Sequence, residues 1–328
     1  MPPEVPAAIS SPSSGPNEPV PVSACPLCAG RSFVPVGLSA GHRMVRCQTC
    51  GLQLLNPQPS ESELIGIYHP NYSFFGAGPG AEASVSRVKQ ATADYYLDVL
   101  ARAGVVKGSL LEIGCGDGDF LARAAQRNFL VEGVDYSPHA CRKARAKVGA
   151  SVRIHCGEIS AVGDRRESCD LCVAADVIEH VRQPAAFLAT VHGLLRPGGW
   201  VLLVTPNLDS LTAKLMGSRW LELKAEHLYY YTPATLRRQL ELAGFVDIRI
   251  TGGKKMLSVD YVTRHFITYP VPALTPALRL LRAILPSAWS QRPFLTPAGG
   301  MVALARKPAG GTKVRSDCNR FVLMTLRS

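Results

Sequence analysis

One short stretch combines glycines and carboxylates at a spacing that can do chemistry. Leu110-Leu111-Glu112-Ile113-Gly114-Cys115-Gly116-Asp117-Gly118-Asp119-Phe120 reads as a buried strand that breaks into a glycine loop and enters a helix. Val131-Glu132-Gly133-Val134-Asp135 then reads as a second strand ending in an acid. Glycines let a backbone turn sharply and come close to a ligand. A carboxylate about 20 residues past such a loop, at the neighbouring strand tip, can accept hydrogen bonds from ribose hydroxyls. A tight turn alone would explain the glycines. Asp135 adds the requirement of a ligand, and together they describe a pocket for an adenosine-containing cofactor.

The spacing narrows the cofactor. The nicotinamide fingerprint G-x-G-x-x-G needs a third glycine where this chain has Asp119, and no G-x-x-x-x-G-K-[ST] phosphate loop is present. Acids at Glu112, Asp117 and Asp119 suit a cofactor with a cationic amino group better than a pyrophosphate. "LEIGCGDGDF" followed by "VEGVDYSP" resembles the class I S-adenosylmethionine-dependent methyltransferases. The resemblance implies a role for Asp135 on the ribose and Tyr136 near the adenine, with Glu158 toward the adenine amine. Gly114 and Gly116 form the cradle, Glu112 and Asp117 orient the loop or the amino group, and Asp176 stands at the fourth strand tip.

Methyl transfer from a sulfonium needs alignment and removal of a proton from the acceptor. His180, in "DVIEHV", has an intrinsic pKa suited to a general base. Many small-molecule members carry a similar Glu-His pair, matched here by Glu179 and His180. In some quinone-pathway O-methyltransferases comparable acids bind a divalent metal. His227 is a second candidate, in "EHLYYYT", which resembles a segment of zinc-ribbon methyltransferases from polysaccharide and antibiotic-sugar pathways. Either histidine has a plainer reading, as a packing or helix-start residue.

Four cysteines form a further site. Cys25-x2-Cys28 and Cys47-x2-Cys50, with 18 residues between the pairs, have the spacing of a zinc ribbon. Four thiolates close a tetrahedral zinc site with no open position, so the metal is structural. Cys169 and Cys172 share the Cys-x2-Cys spacing but fall in an apolar run that reads as a strand. Residues three apart on a strand face opposite ways, so these two are expected to be small hydrophobes that cannot share a metal.

The elements that must position these residues alternate regularly. Strands are expected at 110–114, 130–135, 152–156, 170–175 and 200–205, with helices at 84–103, 119–127 and 184–195. Ser137-Pro138 starts another helix, and Thr232-Pro233 opens one that Gly244 ends. Strand-helix alternation predicts an α/β doubly wound sheet. The resemblance makes it a Rossmann-like methyltransferase sheet with an antiparallel last strand, its final strands at "FVDIRIT" and "GGMVALAR". The expected organisation is a disordered tail at 1–24, a zinc ribbon at 25–55, a methyltransferase domain at 56–306 and a basic tail at 307–328. Residues 56–60 read as a linker. An aromatic cluster at Tyr68, Tyr72, Phe74 and Phe75 offers a flap. Residues 256–298 form an insertion readable as lid, membrane patch or plain packing.

Composition sets limits. The 328-residue chain carries a net charge of +11 and ten cysteines. Residues 1–24 lack a secretory pattern and no apolar stretch is long enough to span a membrane, which predicts a cytoplasmic protein with reduced thiols. The positive charge favours an anionic partner, such as a nucleotide sugar or a lipid-linked acceptor, and allows peripheral membrane contact. It is equally explained by solvated faces, Lys254-Lys255 among them. The expected function is methylation of a small molecule (sugar, lipid or secondary metabolite), with oxygen the default acceptor. Alternatives are a ribosomal or transfer RNA methyltransferase that grips RNA with the ribbon, and an inactive scaffold. Nucleic acid is disfavoured because the ribbon lacks clustered Lys and Arg and no Asn-Pro-Pro-aromatic motif follows the fourth strand.

Overall fold

The computed structural model describes residues 15–67, 81–268, 272 and 274–310. Strands β1 (Phe33–Ser39), β2 (His42–Cys47) and β3 (Gln53–Leu55) form an antiparallel meander. The two cysteine knuckles flank it. Cys25 Sγ lies 3.5 Å from Cys50 Sγ, and Cys28 Sγ lies 3.5 Å from Cys47 Sγ. All four sulfurs fall within 4.8 Å of one another. A tetrahedral zinc with ligands at about 2.3 Å needs sulfurs roughly 3.8 Å apart, so the cluster fits that ion.

The meander is built into the rest of the chain. Leu27, Val45, Leu52 and Leu54 share one core with Ile178, Leu228 and Tyr231. Asn56 to Ser60, expected as a linker, is packed: Gln58 and Ser60 are buried, and Arg182 donates to Gln58 Oε1 and to the Pro59 carbonyl. The expected N-terminal tail divides. Residues 1–14 lie outside the described residues, whereas Val20 bridges Gln58 and Val22 exchanges two hydrogen bonds with the Asn56 side chain.

Helix α1 (Glu61–Ile67) follows; the aromatic flap at Tyr68, Tyr72, Phe74 and Phe75 lies outside the described residues. Helix α2 (Ala81–Arg102) leads into β4 (Gly108–Ile113), α3 (Asp119–Gln126), β5 (Phe129–Asp135), α4 (Pro138–Val148) and β6 (Arg153–Cys156). Ser137 caps α4 as expected, accepting from Ala140 N. Then come β7 (Cys169–Ala175), a 3-10 turn at Ile178–His180, α5 (Pro184–Leu194) and β8 (Leu195–Pro206). Helix α6 (Leu211–Met216), β9 (Tyr229–Tyr230), α7 (Pro233–Leu242) and β10 (Val246–Leu257) follow. Helices α8 (Val259–Thr268), α9 (Leu274–Ile284) and α10 (Ser287–Ser290) precede β11 (Phe294–Arg306).

The large sheet has the order β10-β11-β8-β7-β4-β5-β6. Strands β4 to β8 pair in parallel and β11 is antiparallel to both neighbours. This is a Rossmann-like α/β sheet with an antiparallel last strand. Its order reverses between β4 and β7, which places a ligand crevice beyond their carboxyl ends.

One pairing is new and two sequence expectations change. β9 pairs with β3, so Tyr229-Tyr230 is the fourth strand of the cysteine-bearing sheet. Strand β10 runs on to Leu257 and meets Phe294 through Pro297 of β11, so both ends of the expected 256–298 insertion are a hairpin and its helices span 259–290. Cys169 and Cys172 point the same way: a register shift between Cys169 and Leu171 brings their sulfurs to 3.4 Å. A bulge adds a residue and re-aims the side chain, which simple alternation ignores. Both remain buried.

Candidate active site

The glycine loop departs from the tip of β4. Gly114 (φ 72°), Gly116 (φ 51°) and Gly118 (φ 78°) all adopt the left-handed conformation that glycine reaches without strain. A Cβ on Gly118 would stand 3.0 Å from Ala144 Cα, so this glycine allows α4 to approach. A Cβ on Gly116 would meet nothing within 4 Å, leaving an open cradle. Asp135 braces that loop: its Oδ2 accepts from Gly116 N and its Oδ1 from Ser137 N, each at 2.8 Å. Each oxygen retains a second lone pair.

The cradle opens into a cavity of about 680 Å³. Glu112, Gly114, Gly116 and Asp117 of the loop line it together with Asp176, His180 and His227. Glu112 is buried and its Oε2 has no hydrogen-bond partner among the described residues. Burial, reinforced by Asp135 and Asp119, raises its carboxyl well above the usual range. Such an atom is costly unless something fills its hydrogen-bonding capacity. Asp119 instead binds α2 and α4 to α3, accepting from Ser86 at 2.6 Å and from Lys147 at 2.7 Å.

Asp176 has φ 55°, uncommon for a residue with a Cβ and typical of functional strand ends. Its carboxylate receives Lys255 Nζ at 3.0 and 3.2 Å. Lys255 reads as a solvated cation in the sequence but lines the cavity from β10. Its ammonium is held well above the ordinary lysine range: desolvation opposes this, and the nearby Asp176 and Glu222 carboxylates outweigh it.

The two histidines, far apart in sequence, meet here. Their rings lie 4.8 Å apart at 80°. His180 Nδ1 lies 2.9 Å from the Glu226 carbonyl, and His227 Nδ1 lies 2.9 Å from the Glu222 carbonyl. A carbonyl only accepts, so each Nδ1 carries the proton and the neutral ring has its lone pair on Nε2. Burial lowers the pKa of both. For His180 the neighbouring Glu226 and Asp176 oppose the drop; for His227 it is larger, with His180 and Lys224 adding to it. Beneath them Glu179 is buried, accepts from Thr205 at 2.9 Å, and leaves Oε1 without a partner among the described residues. Burial and Asp176 push its carboxyl up to about 8.

Three expected site residues stand apart from the cavity lining: Asp135, whose carboxylate braces the loop at Gly116 N and Ser137 N, Tyr136 and Glu158. Glu158 is exposed beyond β6, beside the Asp135 strand end, and Tyr136 is 56% exposed. Sequence reading missed Tyr96, Trp220, Glu222 and Tyr261 as cavity residues. Their only signal was an aromatic or acid on an amphipathic segment, which is the usual signature of packing.

Comparison with known proteins accords with this geometry. The family model described as "Methyltransferase domain" matches residues 86–250. A ubiquinone biosynthesis O-methyltransferase of Methylobacterium sp. (strain 4-46) is 31% identical over 183 residues, covering 50% of this chain and 73% of that protein. One of Methylobacterium nodulans is 32% identical over 155 residues, covering 44% and 62%. Among solved structures, a phosphoethanolamine N-methyltransferase of Haemonchus contortus in complex with S-adenosyl-L-methionine is similar at TM-score 0.49 and 17% identity, covering 78% of this chain and 63% of that one. The chain belongs to the S-adenosylmethionine-dependent class I methyltransferases. The residues present fit that cofactor: its cationic sulfonium and ammonium suit the unpartnered Glu112 oxygen and the open cradle at Gly116.

Proposed function

We propose that this enzyme methylates a hydroxyl of a small molecule held between the glycine loop and the His180–His227 pair. The observation that carries the reading is the convergence of two neutral imidazoles on the cavity that the glycine loop also lines. In this reading Gly114, Gly116, Glu112 and Asp117 cradle S-adenosylmethionine and Asp135 takes its ribose. Tyr136, Glu158 and Asp176 border the adenosine and methyl ends. The bound cofactor supplies an electrophilic methyl group. The chain's own residues align the acceptor and accept its proton, at Nε2 of His180. Glu226 and Asp176 favour the resulting imidazolium, which makes His180 a better base than His227. The relatives' O-methyltransferase names support oxygen as the acceptor atom.

The acceptor's body would rest on Tyr96, Trp220 and Tyr261. Lys255 pairs with Asp176 and Lys224 with Glu222, so these cations are already matched inside the cavity. A phosphate, as on a nucleotide-linked or lipid-linked sugar, would sit at the rim formed by α6, where Lys214 and Arg219 are exposed. We assign a structural zinc to Cys25, Cys28, Cys47 and Cys50 in a ribbon at 25–55, with 56–306 as the catalytic domain and 307–328 as a tail. No described helix is long and apolar enough to cross a membrane. None of the nine cysteines that the described residues hold outside a disulfide needs an oxidising compartment, which suits a cytoplasmic location.

A second reading is favoured by one observation: ligand atoms of Glu179, His180 and His227 all lie within 4.8 Å of one another. A divalent cation there would lower the pKa of the acceptor hydroxyl itself. Separate His180→Ala and His227→Ala variants, assayed with and without chelator, decide between the readings. Loss of the base lowers turnover roughly 10²–10⁴-fold with cofactor affinity unchanged. Near wild-type rates in both variants refute the histidine base. Loss of activity on chelation, with the four-cysteine zinc retained, establishes the metal.

A further inference from the structure

We infer that the α9–α10 face of the insertion docks on an anionic membrane surface. Helix α9 turns the wrong side outward for a helix of a globular core. Its inner face, with Thr275 buried and bonded to the Phe266 carbonyl and Arg282 Nε at 2.7 Å from Asp260 Oδ1, packs on α8. Its apolar stripe faces solvent. Leu280 is 65% exposed and Ile284 69%, four residues apart on one side, with Leu281 beside them. Trp289 on the following α10 is likewise exposed, at 68%.

Charge identifies the occupant. No Asp or Glu occurs between Asp260 and Asp317. Arg264 and Arg282 are matched by Asp260. Arg279 on α9 and Arg292 just after α10 are exposed and have no ion pair among the described residues. A second copy of the chain on a two-fold axis would set these arginines against their own images. An exposed apolar stripe with a tryptophan, flanked by arginines and lacking acids, matches a helix lying in the plane of an anionic bilayer. The preceding helix α8 lines the cavity through Tyr261 and Phe266, so docking would hold the acceptor site beside the lipid surface. The inference is independent of the proposed chemistry, because lipid binding needs neither acceptor nor turnover.

Vesicles of phosphatidylcholine, with and without phosphatidylglycerol, test it by co-sedimentation and tryptophan emission. The full chain is expected to sediment with the anionic vesicles and to shift its emission to shorter wavelength. Trp220 is buried and Trp200 half-buried, so Trp289→Phe should remove the shift. Arg279→Gln with Arg292→Gln should lower partitioning about 30-fold. Leu280→Glu with Ile284→Glu should abolish it while leaving S-adenosylmethionine binding intact. Failure to sediment, or equal binding to neutral vesicles, overturns the proposal. So does a dimer that dissociates on Leu280→Glu, which would make a second copy the occupant.

Discussion

Alanine at Gly114 and at Gly116 should have different effects, because the two glycines serve different ends. Both sit at positive φ, 72° and 51°, so a Cβ at either costs about 1–2 kcal/mol of backbone strain. At Gly114 the new Cβ would also stand 2.6 Å from Val177 Cγ2. Overpacking of that kind adds roughly 1–3 kcal/mol. Gly114→Ala should therefore lose about 2–5 kcal/mol, and Gly116→Ala only the first term. Cofactor affinity should reverse the order of severity: the Gly116 Cβ meets no protein atom but enters the cradle, weakening binding about 5–150-fold. Thermal melts and calorimetric titration with S-adenosylmethionine measure both. Adding Val177→Ala to Gly114→Ala should restore part of the stability and leave the Gly116 variant unimproved. Equal melting of the two alanine variants would refute the Val177 contact. Unchanged affinity in Gly116→Ala would show that the cofactor does not occupy this cradle.

Two further expectations concern protons and metal. Glu179, with its carboxyl pushed up to about 8 by burial and by Asp176, binds a proton more tightly folded than unfolded. Its contribution to stability is complete below the ordinary glutamate range and is lost as pH rises through about 8. In metal-free buffer, wild-type melting should fall between pH 5 and 8 more steeply than that of Glu179→Gln; parallel curves would refute the shifted carboxyl. Purified protein should contain one zinc per chain, lost in Cys47→Ser with Cys50→Ser. Because the cysteine-bearing sheet shares a core with the catalytic domain through Leu52, Leu54 and Tyr231, that loss should also lower the main melting transition.

The parts legible in the sequence are those coded locally. Strand β4, its glycine loop and Asp135 lie within one short segment, and period and turn chemistry there agree with the fold. The cysteine spacing likewise announces its own cluster. What escaped depends on distant contacts or on a broken period. His180 and His227 were separately legible, but their ring contact needs the strand pairing of Tyr229-Tyr230 with Gln53-Leu54. Lys255 reads as a surface cation because "GGKKML" offers no apolar alternation, yet it follows β10 into the cavity. Cys169 and Cys172 obeyed alternation until one bulge inverted them. Arg182 turned an apparent linker into buried structure by satisfying Gln58 and the Pro59 carbonyl.

Calorimetric titration of S-adenosylmethionine into wild-type protein and Asp135→Ala tests the central claim most directly. One cofactor should bind per chain. The variant should lose charge-assisted hydrogen bonds of on the order of 1.5–3 kcal/mol, about 10–150-fold in affinity. Asp135 also anchors Gly116 N and Ser137 N, so Asp135→Asn, which preserves shape and one of the two acceptors, should show an intermediate loss of affinity and a smaller drop in melting temperature than Asp135→Ala. A wild-type protein that binds no cofactor, or an Asp135→Ala variant with unchanged affinity, would contradict the account.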